Sequence, residues 1–372
     1  MPRRSKTSWF FACLFGFIAV TAMVLMLRTG PVTNPVVGHG GAPPVTAAAM
    51  PGVTCVERVI PARLHAGGWF EYDVAGTLCW SGEIRGKTLL VTVSGAGYDS
   101  VYWDFPYEPD TYSFVRAALR RGYAVFNFDR LGMGRSERPF GLSLRVDNQA
   151  HVLAQIIETL RAEHDFYAVA TVGHSFGSTI SLAHALTYPN NVDGVAFTGF
   201  VHNANPGFGL AMRDGIDFAA FKGPFAGRIL DPTYVISKPG SRGDIFYTGE
   251  NTDPAVIEVD ELNRETTNIG EVITMPVYFK EQSKALAVPA FTLIGEDDFV
   301  VCGGAVECTD HDAIAAWERE FFQPAACHEM VVVPDTNHNA NLHRNAPANF
   351  KWILDWVERR VGNAGPPTQP CI

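Results

Sequence analysis

The pentapeptide Gly-His-Ser-Phe-Gly at positions 173–177 constrains the fold of this chain more than any other feature of its sequence. It follows an apolar, strand-like run at 167–172 and precedes a helix-compatible run at 178–183. Glycine has no Cβ, so the two glycines permit a sharp turn from a strand into a helix. Such a turn lifts the side chain of Ser175 clear of a sheet and places helix N-terminal N–H groups beside it. The pattern therefore predicts that Ser175 is a nucleophile.

Strand-like and helix-like segments alternate on both sides of this turn. Parallel strands need long crossover connections, which are usually helices that cover both faces of the sheet. The alternation therefore predicts an α/β fold with a mostly parallel, doubly wound sheet. The strand-like runs are 87–93, 123–128, 167–172, 193–198, 290–294 and 330–333, and the helix-like runs are 111–121, 145–164 and 178–187.

The alternation is interrupted between residues 200 and 285, a stretch with many Gly, Pro and Asp residues. A structureless loop of this length is uncommon inside a compact domain, so we interpret it as an inserted cap. The folded part is then predicted to consist of a first core part at 53–199, the cap at 200–285, and a second core part at 286–372.

The N-terminal residues 1–27 have the pattern of an export signal or a membrane anchor. Basic residues among the first six precede an uncharged apolar run of 19 residues at 9–27, which lies between the usual lengths of a cleaved signal and a membrane span. Candidate cleavage sites at 20–22 and 47–49 are both poorly placed, so both interpretations stay open. Either one predicts an extracytoplasmic domain, and residues 28–52 are predicted to be a linker because they are rich in Pro, Gly, Ala, Val and Thr.

The cysteines are consistent with export. One of the seven, Cys13, lies in the apolar run, and an even number remains. In an exported chain an even number suggests disulfides, although six cysteines allow about 15 pairings. No Cys-x-x-Cys or clustered His/Cys spacing suggests a metal site. Proximity in the sequence favours Cys55 with Cys79 and Cys302 with Cys308, which leaves Cys327 for Cys371.

The net charge of −10 argues against a nucleic-acid partner. Binding to a polyanion requires clustered Lys and Arg residues, and this chain has no such cluster beyond its first six residues. A small molecule is the expected ligand of the folded part, and membrane contact is expected only through an uncleaved N-terminal segment.

Two segments resemble the α/β-hydrolase superfamily. The pentapeptide with Tyr188-Pro189 downstream is similar to that family's nucleophile turn and helix. The sequence Phe-Asp-Arg-Leu-Gly-Met-Gly-Arg-Ser at 128–136 resembles its Asp-x-x-Gly-x-Gly-x-Ser loop. The resemblance covers roughly residues 85–200 and 285–360. It implies the α/β-hydrolase type of sheet with an inserted cap, and a triad in the chain order Ser, acid, His.

For the triad acid, the family's Gly-x-x-Asp spacing after a strand selects Asp298, counted from Gly295, and Asp297 is the alternative. For the base, the loop after the strand at 330–333 contains His338, 40 residues after Asp298. Its preceding residue is Asn337 where the family usually has Gly, and Asn also tolerates left-handed turns.

Two further histidines are weaker candidates for the base. His343 is the alternative to His338, but we expect it to lie in the following helix. His174 is a poor candidate because its side chain cannot readily reach back to the neighbouring hydroxyl.

The resemblance also implies an oxyanion hole. One donor is the backbone N–H of Phe176, which follows the nucleophile. The second should come from the Ser-Gly-Ala-Gly loop at 94–97, where Ser94 stands in place of the His of many relatives. The alignment selects Ala96, and Gly97 is the alternative.

These parts predict a serine hydrolase that cleaves a carboxylic ester through an acyl-enzyme on Ser175, without a cofactor or a metal. A serine nucleophile disfavours the dehalogenase and epoxide-hydrolase branches of the family, in which the nucleophile at this position is Asp. A peptidase or amidase with the same triad, and a non-catalytic binding protein of this fold, remain alternatives. Phenylalanines of the cap are candidates for an apolar acyl pocket or for ordinary cap core: Phe200, Phe208, Phe218, Phe221 and Phe225.

Overall fold

In a computed structural model, the part of the chain that is described covers residues 28–33, 45–278 and 281–371. Its strands form an eight-stranded sheet and a separate three-stranded sheet. The strands are β1 (Val53–Arg63), β2 (Glu71–Ser81), β3 (Thr88–Val93), β4 (Ala124–Phe128), β5 (Ala168–His174), β6 (Gly194–Thr198), β7 (Ile216–Phe218), β8 (Tyr234–Ser237), β9 (Thr266–Asn268), β10 (Ala290–Gly295) and β11 (Glu329–Val333).

The helices connect these strands and cover the large sheet. They are α1 (Pro109–Tyr112), α2 (Phe114–Arg120), α3 (Val146–Glu163), α4 (Phe176–Thr187), α5 (Pro206–Gly215), α6 (Ser241–Phe246), α7 (Pro254–Leu262), α8 (Ile269–Thr274), α9 (His311–Arg319) and α10 (Ala346–Arg360).

The large sheet has the strand order β1-β2-β4-β3-β5-β6-β10-β11. β2 pairs antiparallel with both β1 and β4, and the pairs from β4 to β11 are parallel. The prediction of a mostly parallel α/β sheet is therefore confirmed. The antiparallel hairpin of β1 and β2 was not among the predicted strands, because β1 alternates exposed and half-buried residues and has no continuous apolar run.

Both faces of the central strands are covered, as their apolar runs require. Successive side chains of a strand point to opposite faces. In β3, Leu90 joins an apolar cluster with α2 and α10, whereas Leu89 and Val91 join a cluster with α3 and α4. The core of the molecule therefore consists of two layers, one on each side of the sheet.

The residues between β6 and β10 leave the large sheet and form the cap. Within the described residues, this stretch contains the antiparallel sheet β7-β8-β9 and the helices α5 to α8. It follows β6, the strand next to β5, so it begins close to the strand that leads into Ser175.

The described residues of the predicted linker pack on the core instead of running free of it. Arg28 forms a bidentate ion pair with Glu137, in which its Nε and Nη2 donate to the two carboxylate oxygens. Thr29 and Arg138 exchange backbone hydrogen bonds. Residues 46–49 form a 3-10 helix in which Thr46 and Ala47 are buried, and the Thr46 hydroxyl bonds to Asp104. Composition alone did not show this, because the contacts are with residues distant in sequence.

The predicted signal or anchor at residues 1–27 lies outside the described residues. None of the helices that the structure describes is long and apolar enough to cross a membrane.

Three cysteine pairs lie at disulfide-bonding distance, and they are the three favoured by proximity in the sequence. Cys55 and Cys79 face each other in the register of β1 and β2. The other two pairs join Cys302 to Cys308, and Cys327 to Cys371.

Removing the Cys55–Cys79 crosslink by a double serine substitution should lower the free energy of unfolding by about 3 kcal/mol, because the bond closes a loop in the unfolded chain. Its cysteines are 24 residues apart, against 6 for Cys302 and Cys308. The shorter loop should cost less, about 2 kcal/mol. Chemical denaturation measures both values. Free thiols at these positions in the non-reduced protein would contradict the pairing.

Candidate active site

Ser175 occupies a sharp turn between β5 and α4. Its φ of 52° lies in the left-handed region, which is strained for a non-glycine residue. The neighbouring glycines are required for steric reasons. A Cβ on Gly173 would lie 2.6 Å from the Cα of Ser178, and one on Gly177 would collide with the carbonyl of Val93. The turn therefore holds the Ser175 hydroxyl at the carboxyl end of the sheet, as the pentapeptide predicted.

The structure brings the three predicted triad residues together in one hydrogen-bonded chain. His338 Nε2 lies 2.8 Å from Ser175 Oγ. His338 Nδ1 lies 2.9 Å from each carboxylate oxygen of Asp298. Asp298 and His338 are buried, and the hydroxyl of Ser175 reaches a pocket. A nucleophile, a base and an orienting carboxylate in this order match the requirements of nucleophilic catalysis.

Backbone groups hold the carboxylate and the imidazole in place. The N–H of Val300 donates to Asp298 Oδ1 at 3.0 Å. Asn337 Oδ1 accepts the N–H groups of His338, at 2.7 Å, and of Phe299, at 3.0 Å. The side chain of Asn337 therefore links the loop that contains His338, which we call the base loop, to the loop that contains Asp298. Its backbone is not left-handed, and it is Asp335 in this loop that has a positive φ of 51°.

The alternative acid and base lie in other environments. Asp297 is exposed, and its carboxylate accepts from the Thr248 hydroxyl. His343 Nε2 accepts the backbone N–H groups of Asn337 and Thr248, each at 3.2 Å. Burial lowers the pKa of His343 to about 4, so its imidazole is neutral at pH 7. The geometry therefore selects Asp298 and His338, and gives His343 a role in positioning the base loop.

His174 packs directly behind the base. Its ring stacks on Tyr102 at a centroid distance of 4.2 Å and lies 4.9 Å from the ring of His338. Burial lowers the pKa of His174 well below its ordinary value. Its imidazole is therefore neutral and places no second positive charge beside the imidazole of His338. Its Nδ1 bonds to the hydroxyl of Thr198 and not to Ser175.

Both predicted oxyanion donors lie beside the nucleophile. Phe176 is the first residue of α4, so its N–H has no acceptor within the helix. Ala96 and Gly97 line the same pocket as Ser175 and His338. The loop before them approaches closely, since a Cβ on Gly95 would lie 3.2 Å from the Cβ of Ser175. An anion formed at Ser175 would lie between α4 and this loop.

Arg130 binds two backbone carbonyl groups of residues 94–97, which we call the oxyanion loop. Its Nε donates to Ser94 O at 2.9 Å, and its Nη2 donates to Gly95 O at 3.1 Å. In a trans peptide, the C=O of Gly95 and the N–H of Ala96 point in opposite directions. Because the Gly95 carbonyl points towards Arg130, the N–H of Ala96 in the same peptide unit points away from Arg130. Arg130 thereby orders the loop that carries both candidate donors, Ala96 and Gly97.

Arg130 is itself fixed in the core. It is buried in an ion pair with Glu271 of α8, and its guanidinium lies 5.2 Å from the ring centroid of Phe176. Gln149 of α3 also donates to the Glu271 carboxylate, at 2.7 Å. No role for Arg130 was predicted from the sequence. Its partners lie 35 to 141 residues away in the chain, so no local pattern indicates them.

The family model for alpha/beta hydrolases matches residues 90–350 of this sequence. The chain belongs to the α/β-hydrolase family. Proline iminopeptidase of Heyndrickxia coagulans is 38% identical over 82 residues, which cover 22% of this chain and 27% of that protein. The 2-hydroxy-6-oxo-2,4-heptadienoate hydrolase of Pseudomonas putida is 30% identical over 135 residues, 36% of this chain and 44% of the relative. The matched stretches thus span less than half the length of these relatives.

Solved structures show the same fold at low sequence identity. A thermophilic esterase from Thermogutta terrifontis superposes with a TM-score of 0.57 and 16% identity, covering 81% of this chain and 98% of its own. The monoacylglycerol lipase of Paleococcus ferrophilus superposes with a TM-score of 0.53 and 14% identity, covering 82% and 98%. These likenesses establish the α/β-hydrolase architecture.

The pocket of this α/β-hydrolase lies between Ser175 and the cap, and its walls are mainly apolar. Of the five cap phenylalanines proposed from the sequence, Phe208 lines it. Phe200 and Phe225 are buried elsewhere, and Phe218 and Phe221 are exposed. The apolar residues contributed by the cap are Phe208, Met212, Ile216, Val235, Ile236 and Phe246.

Two charged cap residues, Arg242 and Glu265, also line the pocket. The Arg242 guanidinium lies 3.9 Å from the ring centroid of Tyr98 and pairs with Asp260. Arg242 Nη1 and the Glu265 N–H both donate to Gly97 O, at 3.2 and 3.0 Å. The cap therefore holds the far end of the oxyanion loop as Arg130 holds its start. In the described part of the chain, no group of His, Cys, Asp and Glu residues could hold a metal.

A second hydrogen-bonded Ser, His and carboxylate set lies away from the pocket. His202 Nε2 lies 2.6 Å from Ser283 Oγ, and His202 Nδ1 lies 2.9 Å from a Glu318 oxygen. All three side chains are buried, and Ser283 is 0% exposed, so a substrate cannot reach its hydroxyl. This set joins the two ends of the cap to α9, and we assign it a structural role.

Asp298→Asn should lower kcat by roughly 10³- to 10⁴-fold, because the amide cannot hold the imidazole in the required tautomer or stabilise its cation. Asp297→Asn is the matched control, since this neighbouring carboxylate is exposed, and its kcat should stay within about two-fold of the parent. Steady-state kinetics on an ester measures both. Equal losses in the two variants would contradict the assignment of Asp298.

Arg130→Lys should lower kcat by roughly 10- to 100-fold with little change in KM, because lysine cannot donate in one plane to Glu271 and to both loop carbonyls. Arg116→Lys is the control, since Arg116 also pairs with a carboxylate, that of Asp110, and donates to a backbone oxygen, that of Thr46, but contacts no residue of the oxyanion loop. It should lower stability and leave kcat unchanged. An unchanged kcat in Arg130→Lys would show that the loop keeps its orientation without Arg130.

Proposed function

We propose that this α/β-hydrolase cleaves a carboxylic ester through an acyl-enzyme on Ser175. The observation that carries the proposal is the hydrogen-bonded chain from Ser175 through His338 to Asp298, with bonds of 2.8 and 2.9 Å. Ser175 and His338 line a pocket that is also lined by Ala96 of the oxyanion loop. A non-catalytic binding protein of this fold has no chemical need for all these groups in reacting geometry.

The geometry supports a two-stage reaction. His338 Nε2 takes the proton of Ser175 as its oxygen attacks the ester carbonyl, and the N–H groups of Phe176 and Ala96 bind the oxyanion. His338 then gives this proton to the leaving alkoxide, so that an alcohol departs and the acyl-enzyme remains. A water molecule activated by His338 hydrolyses the acyl-enzyme and releases the acid. The carboxylate of Asp298 orients the imidazole and stabilises the imidazolium in both stages.

The walls of the pocket support an ester with an apolar acyl part. The cap contributes aliphatic and aromatic side chains around Ser175, and such surfaces favour apolar groups over charged ones. Named members of the fold include an esterase and a monoacylglycerol lipase, which is in keeping with this substrate class.

Amide cleavage is the second candidate. The stretch matched by a proline iminopeptidase, at 38% identity over 82 residues, favours it. A panel of acyl esters and aminoacyl amides distinguishes the two activities. The ester proposal requires a higher kcat/KM on the esters.

We further propose that the folded domain lies outside the cytoplasm. The apolar run at 9–27 with its basic flank supports export. The three cysteine pairs at bonding distance also support it, because disulfides persist in oxidising compartments.

A fluorophosphonate probe should label the full-length protein, because an activated serine attacks its phosphorus and displaces fluoride. Ser175→Ala should abolish the labelling. Ser283→Ala should retain it, since Ser283 belongs to the buried set and cannot meet the probe. Gel fluorescence or intact mass measures the adduct. No labelling of the parent protein, or labelling that persists in Ser175→Ala, would refute a serine hydrolase.

A further inference from the structure

Residues 28–33 fasten the end of the predicted N-terminal segment directly to the folded domain. Arg28 pairs with Glu137 through two nitrogens and donates to the backbone oxygen of Glu71 at 3.0 Å. Val32 is buried, and Thr33 O accepts from Arg228 of the cap at 2.9 Å. The apolar run ends at Leu27, so one peptide unit separates it from a residue that is held in place.

Large apolar side chains are exposed at both ends of this fastened segment. Trp69 and Phe70, beside the Glu71 that binds Arg28, are 88% and 38% exposed. In the cap stretch that contains Arg228, three more side chains are exposed by half or more: Phe218, Phe221 and Leu230. Residues 28–33 contact Glu71 at one end and Arg228 at the other, and six residues span at most about 20 Å, so the two sets lie near each other on the surface. We call these five residues, Trp69, Phe70, Phe218, Phe221 and Leu230, the exit face.

The chemistry of the exit face is that of a surface that meets lipid. Tryptophan and phenylalanine side chains are favoured at the boundary between headgroups and acyl chains. The exposed cations Lys222 and Arg228 lie on the same cap stretch and can bind lipid phosphates. Contact of these side chains with a bilayer surface therefore has a lower free energy than their exposure to water.

The described part of the 28–52 segment also bears on whether the N-terminal run is removed. Cleavage after the candidate site at 47–49 would detach residues 28–33 from the domain on which they pack. Ala47 itself is fully buried, and its N–H donates to Asp104 at 3.3 Å. The structure therefore speaks against cleavage after residue 49. Cleavage after residue 22 would keep these contacts, and the intact mass of the protein distinguishes it from retention of the whole run.

We propose that residues 9–27 remain in the bilayer as an anchor and that the exit face rests on the extracytoplasmic leaflet. The inference rests on the extracytoplasmic location proposed above and is independent of the reaction at Ser175. Consecutive Cα atoms are only about 3.8 Å apart. With Arg28 held against Glu71 and Glu137, an anchor ending at Leu27 keeps this part of the domain surface, including Trp69 and Phe70, next to the membrane.

This orientation links the membrane to the pocket. β7 begins at Ile216, which lines the pocket, and ends at Phe218, which belongs to the exit face. An ester dissolved in the bilayer would therefore meet the cap element that borders Ser175. The orientation favours lipid-soluble esters over equally reactive water-soluble ones.

The test uses the full-length protein in phosphatidylcholine and phosphatidylglycerol vesicles that carry brominated acyl chains, which quench nearby tryptophans. The emission lost in Trp69→Phe relative to the parent is the Trp69 component, and it should be quenched by the brominated lipid. Trp352→Phe is the control, since Trp352 is 50% exposed on α10, which covers the opposite face of the sheet from α3 and α4. Its component should be unquenched.

Equal quenching of the two components, or quenching of neither, would overturn the proposed orientation. An intact mass that lacks residues 9–27 in the protein isolated from membranes would overturn the anchor. Fluorophosphonate labelling in the same vesicles reports on Ser175 alone. A chain that labels but shows no Trp69 quenching therefore refutes the exit face and leaves the hydrolase standing, and the reverse result refutes the hydrolase.

A second variant tests the coupling to substrate. Phe221→Ser with Leu230→Ser should lower hydrolysis of a vesicle-embedded ester at least about ten-fold, since two exposed apolar side chains no longer enter the leaflet. Hydrolysis of a water-soluble short-chain ester should be unchanged, which shows that the cap is still folded. Equal rates on the vesicle ester for the variant and the parent would overturn the contact with lipid.

Discussion

The active site depends on the close approach of α4 to the ends of β3 and β5. Gly177 lies so near the Val93 carbonyl that no side chain fits between them, and a Cβ on Gly173 would collide with the backbone of Ser178. This approach forces Ser175 into its left-handed conformation. It also brings the first N–H of α4 next to the loop that follows β3. The nucleophile and both predicted oxyanion donors therefore result from one steric constraint.

Buried ion pairs extend this constraint from the core into the cap. Arg130 and Arg242 hold the carbonyls of the oxyanion loop, and their carboxylate partners Glu271 and Asp260 both belong to the cap. Breaking a buried pair leaves an uncompensated charge, which costs several kcal/mol. The loop geometry therefore depends on a correctly seated cap, so a change in the cap can alter the reaction as well as the choice of substrate.

Much of the site was predictable because its signals are local. The family's Gly-x-x-Asp spacing after β10 selected Asp298, and the loop after β11 together with the family's chain order selected His338. The choice over Asp297 and His343 needed coordinates, since adjacent or nearby residues have the same local pattern and differ only in what they face. The hairpin of β1 and β2 was missed because its exposed edge lacks an apolar run. Arg130 was missed because its partners are distant in the chain.

By itself, the sequence determined the α/β alternation and the turn at Ser175. These follow from periodicity and from steric demands between near neighbours, which any fold must satisfy. The Ser, acid, His order was implied by the resemblance to the α/β-hydrolase family. The tertiary structure alone decided which carboxylate meets His338, which arginines hold the oxyanion loop, and that residues 28–33 lie against the domain. Each of these depends on contacts between residues far apart in the chain, and such contacts exist only when the whole sheet and its cap are assembled.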